Sequence, residues 1–219
     1  MNRRAMMLSV FAVAVVTFAA SAWFTTRPAS VVVTATVPPE QSEALLRPCS
    51  PILGPKEASG SVVEFFDPAC KACCGLYPVV KYIMAEHRDA VRVAIRYTPF
   101  HGEVSEEAIR VLEADRMQDV FEPVMEALLR EQPRWASHGT PAPGLMRENA
   151  AAAGLDVEAA RTQTLFPGTM GVINQDRADV ETMGVRQTPA SFVNGGSLDP
   201  FGEAEMRALV AEEVAASYS

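Results

Sequence analysis

Histidine is scarce in this chain, with three in 219 residues, and cysteine is scarcely more frequent, with four. His87, His101 and His138 do not fall at zinc-ligand spacings, and no second CxxC completes a zinc site. Basic residues are outnumbered, 19 against 27 acidic ones, which leaves a formal charge of −8. Without a Lys/Arg stripe to neutralise phosphates, a nucleic-acid partner is excluded. Internal repeats and low-complexity tracts are absent, so neither a repeat architecture nor a biased, disordered chain is expected. What remains is ordinary globular composition, 48% apolar and 21% charged. The length suits one domain with a full core and is short for two.

One segment is of different material. Arg3 and Arg4 precede an uncharged, mostly apolar run over residues 5–24. As a helix its 20 residues would span roughly 30 Å, enough to cross a bilayer. Ala20-Ser21-Ala22 also fits a signal-peptidase site, so residues 1–24 read as a signal peptide or a membrane anchor. The run is long for a signal h-region, which favours the anchor. Either way the positive end stays inside and the remainder is exported. The expected location is the bacterial periplasm or the outer face of the inner membrane. Exported cysteines form disulfides or do redox chemistry. Three of the four, Cys70, Cys73 and Cys74, fall within little more than one helical turn, a poor framework for stapling a fold. Clustering points to chemistry.

Residues 25–58 read as a tether or linker, with Pro28, Pro38 and Pro39, a possible short helix after Glu43, and Cys49 near a Pro/Gly-rich loop. The domain is expected over 59–219. Residues 61–66 are a short apolar run of β-formers, consistent with a buried strand. Leu76, Val79, Val80, Ile83 and Met84 follow helical spacing, with Pro78 as an internal kink. Val91, Val93, Ile95 and Tyr97 then alternate with Arg92, Ala94 and Arg96, a period-2 strand with one wetter face. Strand, helix, strand is a βαβ unit, so the two strands should be parallel with a right-handed crossover. A helical insertion is expected over about 103–184. It includes the stripe Val120, Phe121, Val124, Met125, Leu128 and Leu129, and helices over 145–153, 156–164 and 169–183 stopped by Gly184. Residues 190–193 read as a strand turning at Asn194-Gly195-Gly196. Met206, Leu209, Val210 and Val214 mark one face of a last helix. The order gives an α/β, thioredoxin-like fold, βαβ then ββα, with an inserted helical domain and a preceding signal or anchor helix.

Cys70-Lys71-Ala72-Cys73 stands where a strand ends and a helix begins. First-turn N–H groups and the helix dipole favour a thiolate at Cys70, and Lys71 adds positive charge beside it. The thiolate is the attacking form in exchange, and a thiol three residues on can resolve the mixed disulfide. Thr188-Pro189, just ahead of a short strand, is either a trans turn or a cis-proline. A cis bond would aim backbone groups at the cysteines and leave a strand-like edge for a substrate peptide. Thr188, Pro189, Lys71 and Ala72 are the expected substrate-binding residues.

Val63-Glu64-Phe65-Phe66-Asp67-Pro68-Ala69-Cys70-Lys71-Ala72-Cys73 resembles the active-site strand and helix start of the DsbA-like thioredoxin-fold family. Pro78 matches the kink proline of that helix, and residues 185–189 are similar to the cis-proline loop. The stretch 96–102 resembles a segment common among exported members, and the likeness covers about 61–216. It implies a protein disulfide oxidoreductase acting on exported cysteine-containing proteins, with Cys70 as nucleophile, Cys73 as resolving thiol and a redox partner in the membrane. It also implies that Glu64 lies beneath the cysteines and relays a proton to or from the second thiol. No cofactor and no metal are expected, and the chain is expected to be a monomer. Two departures stand out: Lys71-Ala72 is not the usual dipeptide of strongly oxidising members, and Cys74 directly follows the pair. The competing readings are a Cu(I) carrier using Cys70, Cys73 and Cys74 and a redox-dead interaction module. Since four exported cysteines make two pairs, a second disulfide between Cys49 and Cys74 is proposed; otherwise Cys74 is a free thiol.

Overall fold

Among the described residues two short strands come before the apolar segments of the domain: β1, Val33–Thr36, and β2, Ile52–Leu53, with one helical turn, α1, Ser42–Leu45, between them. Both strands join the central sheet. Residues 33–58 are therefore part of the domain, which corrects the reading of 25–58 as a linker. Two of the prolines that argued for a tether, Pro38 and Pro39, sit at the start of a 3-10 turn, Pro39–Gln41, where a missing N–H costs little. The computed structural model describes residues 33–137, 139–198 and 201–218. The run 5–24, with its signal-or-anchor reading, and Pro28 lie outside the described residues. Among the described residues no helix is long and apolar enough to cross a membrane.

The βαβ unit is β3, Gly60–Phe66, then α2, Lys71–Glu86, then β4, Val91–Tyr97, and its strands pair in parallel. Six helices follow: α3, Glu103–Met117; α4, Phe121–Arg130; α5, Gln132–Trp135; α6, Pro143–Ala152; α7, Val157–Gln163; and α8, Pro167–Thr182. Asp156 caps α7 by accepting from the N–H groups of Glu158 and Ala159. The chain returns as β5, Ala190–Val193, and β6, Gly196–Leu198, and closes with α9, Glu203–Ala216. Asn194 and Gly195 both have positive φ, 46° and 83°, the pattern a tight two-residue hairpin turn requires. The sheet order is β1-β6-β5-β3-β4-β2, antiparallel except at β3/β4.

Alternation along the strands sorts two cores. Val62, Phe66, Val91, Val93, Ile95 and Tyr97 join α2, α9 and the inserted helices in one continuous cluster. Val63, Phe65 and Ala94 meet Leu45, Val180 and Val185 on the other face. That second face is not the wetter one expected for β4. Arg96 is fully buried there, bonded to Asp176 and Asp179 of α8 and to the carbonyls of Ala44 and Leu45. Arg47 grips Asp179 through two further hydrogen bonds, at 2.9 and 2.8 Å.

Candidate active site

The site begins with a turn. Where β3 ends, Asp67 is completely buried, and its Oδ1 accepts the N–H of Ala69 at 2.9 Å. Its Oδ2 accepts the N–H groups of Phe100 and His101 and lies 2.7 Å from His101 Nδ1. One carboxylate thus ties the end of β3 to the loop after β4, and the backbone N–H of Asp67 points at Cys73 Sγ, 3.5 Å away. Gln132 Nε2 fixes the Ala69 carbonyl from the insertion at 2.6 Å. Sequence reasoning missed both Asp67 and Gln132 as site-building residues. An Asp one residue past a buried strand is a visible signal; the Gln132 contact, made across 63 residues, left none.

Held by that turn, Cys70 is the N-cap residue of α2. It is 7% exposed, whereas Cys73 is fully buried one turn inward. The Thr188–Pro189 bond is cis, and the Thr188 carbonyl lies 3.3 Å from Cys70 Sγ. The same geometry drives the two thiols apart. Cys70 falls to about 5, chiefly because the Cys73 thiol donates to its sulfur; burial opposes this, and the Thr188 side chain and the N–H groups of Cys73 and Ala72 add to it. Lys71 is exposed and is not among the leading causes. Cys73 is pushed far up, first by that hydrogen bond to Cys70, then by burial and by the Glu64 carboxyl. Glu64, 2% exposed, is raised to about 8 by burial and by the negative Cys70 sulfur. The arrangement provides an anionic sulfur at the mouth, a protonated thiol behind it and a protonated acid beneath. Lys71 and Ala72 are exposed beside them.

In this structure Cys49 and Cys74 are free thiols, as are Cys70 and Cys73. Cys74 Sγ donates to the Leu129 carbonyl of α4 at 2.9 Å, while Cys49 lies within the electrostatic reach of Arg47 and Arg116. With Cys74 turned into the insertion, the three-thiolate copper set is not assembled. Among the described residues no three His, Cys, Asp or Glu side chains are placed to hold a metal.

Residues 47–212 match the thioredoxin family. The chain belongs to that family. Among solved structures, a thioredoxin-like oxidoreductase from Silicibacter pomeroyi DSS-3 is similar with a TM-score of 0.67 and 26% identity, over 78% of this chain and 95% of that one. A periplasmic thioredoxin-like protein from Salmonella enterica serovar Typhimurium gives 0.63 and 24%, over 83% and 99%. The thiol-disulfide exchange protein alpha-DsbA2 from Wolbachia pipientis gives 0.67 and 18%, over 79% and 91%. Its helices inserted between β4 and β5 give it a fold similar to that of alpha-DsbA2. A curated relative, the Na(+)/H(+) antiporter NhaA of Herminiimonas arsenicoxydans, is 29% identical over 153 residues. The match takes in 67% of this chain and 22% of the antiporter, so the chain spans about a fifth of that relative's length.

Proposed function

We propose that this member of the family donates its Cys70–Cys73 disulfide to exported proteins. A substrate thiolate attacks Cys70 Sγ, the Cys70–Cys73 bond breaks, and the electron pair goes to Cys73, which takes a proton from Glu64. The second substrate thiolate then attacks its partner sulfur in the mixed disulfide and releases Cys70 as a thiolate. The substrate is oxidised by two electrons and the enzyme is left as a dithiol, to be reoxidised by a membrane redox partner. The carrying observation is the placement of the Cys70 sulfur at the mouth, against the Thr188 carbonyl, with Cys73 sealed behind it. Thr188, Pro189, Lys71 and Ala72 form the edge that receives the substrate chain in this reading. A stabilised thiolate favours the reduced pair, and a favoured reduced pair makes an oxidant.

The working place in this reading is outside the cytoplasm. The apolar run after Arg3 and Arg4 supports it, as does the likeness to a periplasmic protein from Salmonella. Equilibration with glutathione tests the direction. The expected potential lies nearer the ~−120 mV of a strong oxidant than the ~−270 mV of a reductant. A value at the lower end reverses the direction of transfer. Cys73→Ser should accumulate mixed disulfides with exported proteins and Cys70→Ser should not; trapping by the Cys70→Ser variant instead would exchange their roles.

A further inference from the structure

One buried hydroxyl beside this machinery has no assigned work. Ser191 of β5 stands directly opposite Glu64 of β3 in the antiparallel ladder. Opposed residues of such a pair project from the same face, with Cβ atoms about 4.5–5.5 Å apart. Ser191 is 4% exposed, and its Oγ has no hydrogen-bond partner among the described residues. An idle buried hydroxyl is uncommon in a folded protein, because leaving it unpaired forfeits its hydration.

The surroundings of Glu64 make that hydroxyl matter. From α2 it is faced by Cys70, Cys73 and Tyr77, groups that cannot stabilise a negative carboxylate by charge. On β4 its register neighbour is Ile95, and the nearby Tyr97 hydroxyl is committed to Glu113 at 2.9 Å. The α9 residues Met206, Leu209 and Val210 that join this core are apolar. Arg96 belongs to the opposite face and is engaged with Asp176 and Asp179. Among the described residues of β5, the one directly across from Glu64 carries a donor.

We propose that Ser191 is the positioning residue of Glu64: turning about its Cα–Cβ bond, its hydroxyl donates to the carboxylate each time Glu64 gives its proton to Cys73. A neutral carboxyl leaves the hydroxyl unneeded, whereas a carboxylate in apolar surroundings requires it. The hydroxyl therefore switches on only in the half of the cycle that needs it. The inference rests on the relay reading of Glu64 and adds the group that makes releasing the proton tolerable.

The test follows the Glu64 side-chain carboxyl 13C resonance against pH in the reduced full-length protein, for the unmodified chain, Ser191→Ala and Ser191→Thr. A hydrogen bond to the ionised form lowers the midpoint, so Ser191→Ala should raise it by about one pH unit. Ser191→Thr, which keeps the hydroxyl in a strand-compatible side chain, should return it toward the original value. An unmoved midpoint in Ser191→Ala overturns the proposal, and so does a threonine variant that behaves like alanine. Glu64→Gln separates the two readings. If its exchange rate keeps the original pH profile, the relay fails, while the carboxyl midpoint still decides what Ser191 does.

Discussion

Two thiols three residues apart on one helix are driven in opposite directions, and the cause is which of them donates. Cys73, sealed in the core, keeps its proton and lends it to Cys70, whose charge is then shared with the first N–H groups of α2. Within the reduced pair, alkylation should therefore titrate Cys70 with a midpoint near 5 and spare Cys73. Modification of Cys73 first, or a midpoint near 9, would contradict the assignment. The same shift bears on stability. A thiol whose folded value lies below its unfolded value of 9 stabilises the fold fully above pH 9, and that contribution is lost as pH falls through 5. The melting temperature of the reduced protein relative to Cys70→Ser should accordingly rise between pH 5 and 9. Cys70 and Cys73 were legible in the sequence because the CxxC spacing across a strand–helix junction is local. Asp67 belongs to the same local run, but its role is not local. Its importance lies in three N–H groups and a histidine converging on one buried carboxylate, two residues of which come from beyond β4.

At the scale of elements, β3, α2, β4, β5 and α9 were readable because each buries a regular set of apolar positions, at period 2 or 3.6. The short strands β1 and β2 were not. Four and two residues are too few to show a period, and what holds them is pairing with β6 and β4. Arg96 shows the same limit. Its alternation with Ile95 and Tyr97 marks a polar face, yet its partners Asp176 and Asp179 lie 80 and 83 residues away and close that face from solvent. The buried arginine links α1, β4 and α8, the helix that leads into the Thr188–Pro189 loop. Removing one partner from such a cluster strands the others, at a cost of about 3–5 kcal/mol. Arg96→Met should lower unfolding stability by that order in a urea titration, with the loss persisting at high salt because the cluster is dry. A change under about 1 kcal/mol would mean that Arg47 alone can hold Asp179.

The larger of the two cores runs from the sheet into the inserted helices, and this part of the molecule holds buried acids that stay protonated at neutral pH. Glu64 is placed for chemistry. Asp115 on α3 is not: it is fully buried, both oxygens lack a hydrogen-bond partner among the described residues, and burial raises it to about 8. An acid whose folded value exceeds its unfolded value keeps its proton longer in the native state. Stability is then undiminished below the unfolded value of 3.8 and declines as pH rises toward 8. In the reduced protein the Cys70 thiolate acts in the opposite sense from pH 5 upward and masks part of the decline. The oxidised protein has no free Cys70 to titrate, so it isolates the acids. Its urea midpoint should fall steadily between about pH 4 and 8, and Asp115→Asn should remove part of that slope. At pH 8 the asparagine variant should be the more stable by about 1–3 kcal/mol, the penalty of an unpaired buried charge-bearing group. At pH 4, where Asp115 is still neutral, the two proteins should unfold together. A variant as steep as the original would show that Asp115 finds a partner on ionising, and Glu64 would then carry the whole alkaline loss.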